Sequence, residues 1–130
     1  MGAILLDTTV LIDALRGRAA MDRLRALRAD GDIPCTCAVN VEEVVRGLFP
    51  RERQDADRLF DGLRLAPLGR IEGERAGTWR RDLARRGTTV AQADCLIAAA
   101  ALGIGARLAT GNPRDFPMRG LTVDHWPVGE

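Results

Sequence analysis

The sequence predicts an α/β fold: a mostly parallel sheet of four or five short strands covered by helices on both faces. Three observations predict it. Short apolar runs without polar alternation recur along the chain, as strands buried on both faces require. Segments of helical spacing separate them, the order that βα units produce. Glycine or proline closes most of the helical segments. At 130 residues the chain has the size of one domain, 1–130, and it carries no repeat, linker or low-complexity stretch.

Residues 3–6 (AILL) are the first strand and run directly into Asp7. Residues 9–16 carry helical spacing and stop at Gly17. In the helix 20–29, Met21, Leu24 and Leu27 recur at three-residue steps before Asp30-Gly31. Residues 33–37 (IPCTC) are the second strand. Asn40 is the expected cap of a helix running to about Leu48, with Val41, Val44, Val45 and Leu48 as its apolar stripe. Pro50 breaks that helix, and 52–63 form the next, with Ala56, Leu59, Phe60 and Leu63 on one face. Residues 64–68 read as a weak strand and 71–86 as a charged helix holding Trp79 and Leu83. The Ala-rich 90–102 segment is the strongest helix, stopped by Gly103 and Gly105. A strand at 106–110, the turn GNPRDF and a last strand at 120–124 complete the chain.

Composition narrows the chemistry. All 19 basic residues are Arg; Lys, Ser and Tyr are absent, and His125 is the sole histidine. That excludes P-loop and Schiff-base lysines, a receiver-type phosphoacceptor with its lysine, serine hydrolases and multi-histidine zinc sites. Cys35, Cys37 and Cys95 are an odd set in apolar context, read as buried, reduced thiols. With no charged leader and no apolar stretch long enough for a bilayer, the expectation is a cytoplasmic protein without a membrane partner. The net charge of +1 makes any phosphate contact local, through guanidinium groups. Arg16, Arg18, Arg46, Arg80, Arg81, Arg85, Arg86 and Arg114 are available, against the plainer reading of a solvated helix surface; Arg114 adjoins Asp115 and is the preferred one.

Carboxylates, Thr and Asn remain. In an open α/β sheet the ligand site lies beyond the C-terminal strand ends. Asp7 follows the first strand, Asn112 and Asp115 follow the 106–110 strand, and Asp94 falls early in the Ala-rich helix. Gathered together, such acids repel unless a cation or shared protons neutralise them, and oxygen ligands without His or Cys suit Mg²⁺ or Mn²⁺. Each also has a structural reading: Asp7 and Asp94 as helix caps, Asp115 as a turn residue, Glu43 as a solvated position opposite the apolar stripe.

With these residues in view, the chain resembles the PIN-domain ribonucleases, and among them the VapC-type toxins of bacterial toxin–antitoxin pairs. LLDTTVLID is similar to the family's opening strand and aspartate, VNVEEVVRG to its Glu-bearing helix, AQADCLIAAAA to its Asp-bearing helix, and LATGNPRDF to its closing turn. The spacing to Gly47 selects Glu43 over Glu42. At Asn112 many relatives carry an acid, so the match departs there. The resemblance implies a PIN-like three-layer α/β/α sandwich and a Mg²⁺-dependent endoribonuclease, with Mn²⁺ as a substitute. It implies Asp7, Glu43, Asp94 and Asp115 as the catalytic set, with Asp7 and Asp94 as direct metal ligands. Thr8, Thr110 and Asn112 would hold those ligands in place, and Arg114 would meet the RNA. The implied products carry 5′-phosphate and 3′-hydroxyl ends. The implied partners are RNA, a small antitoxin and a second copy in a homodimer. An RNA-processing nuclease and a non-catalytic RNA-binding or regulatory module are the competing functions.

Overall fold

The computed structural model describes residues 2–129. Five strands, β1 (Ala3–Leu6), β2 (Ile33–Thr36), β3 (Arg64–Leu65), β4 (Arg107–Thr110) and β5 (Val123–His125), form one sheet in the order β3-β2-β1-β4-β5. Every pairing is parallel, so the expected mostly parallel sheet is parallel throughout the described residues. The strand order reverses between β1 and β4, the place where open α/β sheets leave a crevice at their C-terminal ends.

Six α-helices cover the sheet: α1 (Thr8–Leu15), α2 (Ala19–Ala29), α3 (Ala38–Arg46), α4 (Arg53–Asp61), α5 (Arg70–Arg85) and α6 (Gln92–Gly103). The pleat sends successive side chains to opposite faces. Leu5 and Leu108 join a core with α5 and α6, while Ile4, Leu6 and Ala109 join one with α1, α2 and α4. Two cores either side of one sheet are the three-layer sandwich. Ala98, Ala99, Ala100 and Ala101 are fully buried, because alanines let α6 lie close against the sheet.

Four expected boundaries move. Helix α3 is capped at Cys37 rather than Asn40, whose side chain instead reaches back to accept from the Cys37 amide at 3.2 Å. The weak strand 64–68 keeps two residues: the Ala66 amide still reaches the Thr36 carbonyl, then Pro67 offers no donor. Helix α6 begins at Gln92 and runs through Gly103, and Gly105, at φ +66°, makes the reversal. The last strand starts at Val123 because the chain first turns at Gly120, at φ +84°.

The C-terminal segment is tied across the α1–α2 corner. The buried Asp13 carboxylate accepts from the amides of Ala20 (3.0 Å) and Gly129 (2.9 Å), and Arg23 donates to the Pro127 carbonyl at 2.7 Å. Asp13→Ala leaves those amides without an acceptor and is expected to lose about 2–4 kcal/mol in chemical denaturation. Thr36 is the opposite case: its hydroxyl is buried without a hydrogen-bond partner among the described residues. Thr36→Val keeps the shape and is expected to raise the thermal midpoint by roughly 3 °C, equivalent to about 1 kcal/mol. A lower midpoint would show that the hydroxyl is satisfied.

Candidate active site

The parallel register of β1 and β4 sets their C-terminal ends side by side, with Leu6 opposite Ala109. One residue further, the fully buried Thr110 hydroxyl donates to Asp7 Oδ2 at 2.8 Å. Asp7 occupies the N-cap position of α1 without making the capping bond, so its carboxylate faces the strand ends. Burial raises its pKa most; Glu43 adds to the rise, while Thr110, the Thr8 amide and Thr9 oppose it.

Helix α3 brings Glu43. Thr8 Oγ1 donates to Glu43 Oε1 at 2.7 Å and accepts from Asn40 Nδ2 at 3.2 Å. The adjacent glutamates differ in their surroundings: the Glu42 side chain is 59% exposed and paired with Arg46, whereas that of Glu43 is 26% exposed and turned to Thr8. Asp94 sits in the first turn of α6, where Ala91 is the cap. The helix N-terminus should stabilise its charge. Instead its pKa rises to about 6, first through burial, then through Asp115, Asp7 and Glu43. Four carboxylates from four separate segments therefore share one field.

Their arrangement is a concentration of charge rather than a finished cage. Among the described residues no three His, Cys, Asp or Glu side chains group closely enough to hold a metal ion as they stand. The donor set fits a hard divalent ion: carboxylate oxygens, with the Cys37 thiol kept protonated by burial.

The remaining predicted residues divide. Asn112 precedes a short 3₁₀ turn, Pro113–Asp115; its backbone amide donates to Thr110 Oγ1 at 3.0 Å, and its side chain is exposed. Arg114 is exposed on the same turn. Arg46 lies 3.9 Å from Glu43, whereas Arg16, Arg18 and Arg81 pair with Glu52, Asp13 and Asp82 away from the cluster. Sequence reasoning missed three positions. Asn40 reads in the sequence as a cap. Thr9 accepts from the Gly111 amide at 3.0 Å. A Cβ on Gly111 would meet Val128 at 2.9 Å and Thr9 Oγ1 at 3.3 Å, so a side chain there would have to displace Val128 where the C-terminal segment backs the site. Thr9 and Gly111 lie inside the motifs LLDTTVLID and LATGNPRDF, and that membership is their only signal in the sequence.

Because the Asp94 pKa is raised, the native state holds a proton that the unfolded chain releases between the ordinary value of 3.8 and about 6. Stability contributed by this group is therefore lost as pH rises through that window. Asp94→Asn is expected to melt above the wild type at pH 7.5 by a margin that vanishes near pH 4. A margin independent of pH would contradict the shared field.

The chain has known relatives in sequence and in fold. The PIN domain family model matches residues 4–118. Ribonuclease VapC10 of Mycobacterium tuberculosis is 37% identical over 116 residues, covering 88% of this chain and 86% of that protein. The structure of DNA-bound VapBC from Salmonella typhimurium contains a chain of 25% identity and TM-score 0.83, covering 97% of this chain and 99% of that one. A chain of VapBC2 from Rickettsia felis, bound to a promoter DNA fragment, matches at TM-score 0.84 and 20% identity over 95% and 98% of the two chains. The chain belongs to the PIN domain family.

Proposed function

We propose that this protein is a divalent-metal-dependent endoribonuclease and the toxin of a bacterial type II toxin–antitoxin pair. The carrying observation is the junction of β1 and β4, where Asp7 is held by Thr110 beside a Glu43 held by Thr8. The likeness to a protein named as a ribonuclease, and to chains solved in VapBC assemblies, supports both halves of the reading.

Asp7 and Asp94 would hold Mg²⁺, with Mn²⁺ as a substitute. When bound, the ion supplies positive charge for the phosphodiester and acidifies water. Around it the chain's own groups do the positioning. Thr110 fixes Asp7 Oδ2, and Thr8 fixes Glu43 Oε1. Glu43 and Asp115 would hold the ion or its waters, and one of them would orient the attacking water and accept its proton. Asn112 braces the turn through its backbone amide, and Arg114, exposed on that turn, would pair with an RNA phosphate. The products would carry 5′-phosphate and 3′-hydroxyl ends.

The toxin reading includes a small antitoxin and a homodimer. A groove of about 490 Å³ between α1, α2 and α4 suits an amphipathic segment of the antitoxin: Leu15, Met21, Leu24 and Leu59 line it, and Arg25, Arg28 and Arg58 edge it. Among the described residues no helix is long and apolar enough to cross a membrane. Three unpaired, buried cysteines suit the reducing cytoplasm proposed for it.

The direct test is cleavage of single-stranded RNA with Mg²⁺ or Mn²⁺. Asp7→Asn and Asp94→Asn are each expected to lose at least about 100-fold in rate, and chelation should abolish cleavage by the wild type. Equal cleavage by all three proteins would trace the activity to a contaminant and remove the assignment.

A further inference from the structure

The geometry points to Asn40 as a positioning residue for Glu43, acting through Thr8 in a one-way hydrogen-bond relay that starts at the Cys37 backbone amide. This rests on the nuclease reading above and adds to it a residue outside the acidic set.

The direction of the relay follows from its first member. A backbone N–H can only donate, so the atom facing the Cys37 amide at 3.2 Å must be the Asn40 carbonyl oxygen. The Cys37 thiol donates to that same oxygen at 3.1 Å. The Asn40 amide is thereby locked, and its Nδ2 is the end that faces Thr8 Oγ1 at 3.2 Å. Thr8 accepts this bond and keeps one hydroxyl proton, which goes to Glu43 Oε1 at 2.7 Å. Each group has one orientation, and the sequence of donors ends on one oxygen of one glutamate.

Two consequences follow. The oxygens of Glu43 become unequal: Oε1 is committed to Thr8, and Oε2 is left for the water or the ion, with Arg46 at 3.9 Å on its outer side. The start of α3 and the placement of Glu43 also become one device, because Asn40 holds the first turn and the relay together. The Asn40 side chain is fully buried, and a polar side chain so placed needs its hydrogen-bond partners.

The experiment measures Mn²⁺ affinity by calorimetry, and kcat and KM on a single-stranded oligoribonucleotide, in a double-mutant cycle. Asn40→Asp keeps the acceptor toward Cys37 and removes the donor toward Thr8; Asn40→Ala is run alongside because it buries no new charge. Groups behind a metal ligand typically matter by about 10–100-fold. Each variant is expected to lose about 10-fold or more in kcat with KM within about 2-fold, and to bind Mn²⁺ several-fold more weakly. In a Thr8→Val background the Asn40 substitutions should add less than about 2-fold, since the relay is already cut. Full additivity with Thr8→Val, or kcat and Mn²⁺ affinity within about 2-fold of wild type, overturns the relay. A wild type that shows no metal-dependent cleavage defeats the nuclease reading instead. The relay is then decided by the Mn²⁺ series alone, where equal affinities in wild type and variants overturn it.

Discussion

Like-charge repulsion at the C-terminal ends of β1 and β4 is the constraint on which the rest of the structure depends. Asp7, Glu43, Asp94 and Asp115 are close enough for each of the other three to raise the pKa of Asp94. The hydrogen bonds that hold the cluster come mainly from neutral groups: Thr110 to Asp7, Thr8 to Glu43, Asn40 to Thr8. Hydroxyls and amides fix geometry without cancelling charge. A guanidinium in the same place would neutralise the cluster and remove its attraction for a cation. Arg46, at 3.9 Å and largely exposed, stays at the rim.

The fold exists around this edge. A fully parallel sheet puts every strand's C-terminal end on one side, and the reversal of strand order between β1 and β4 opens that side. Helices α1, α3 and α6 start there and each brings one acid near its first turns. The C-terminal segment closes the rear, with Trp126 bonded to the Thr110 carbonyl and Val128 packed on Gly111. The price in stability is visible in Asp94, and the buried apolar layers on both faces of the sheet offset it.

Much of this was legible in the chain, for reasons that can be named. Unbroken apolar runs such as AILL mark doubly covered strands, and helical spacing marked each helix to within a few residues. Asp7 and Asp94 stood out because a cap and a ligand want the same position; only the coordinates show that Asp7 forgoes the capping bond. Glu43 could not be separated from a solvated position by a helical wheel, because the wheel does not include Thr8 from another helix. The role of Asn40 is hidden from the sequence for the same reason. Its local signal is that of a cap, while its long-range partner lies 32 residues away. Edge strands were the least legible, since Pro67 and Gly120 set their limits through hydrogen bonding and backbone conformation rather than hydrophobicity.

The most direct measurement of the central claim is a carbon-detected NMR titration of the side-chain carboxyls, with and without Mg²⁺. The account predicts that Asp94 titrates near 6 in the absence of the ion. Added Mg²⁺ should drive that midpoint acid-ward, with chemical shifts moving together at Asp7, Glu43 and Asp115. Ordinary carboxylate midpoints at all four positions, unmoved by the ion, would contradict it.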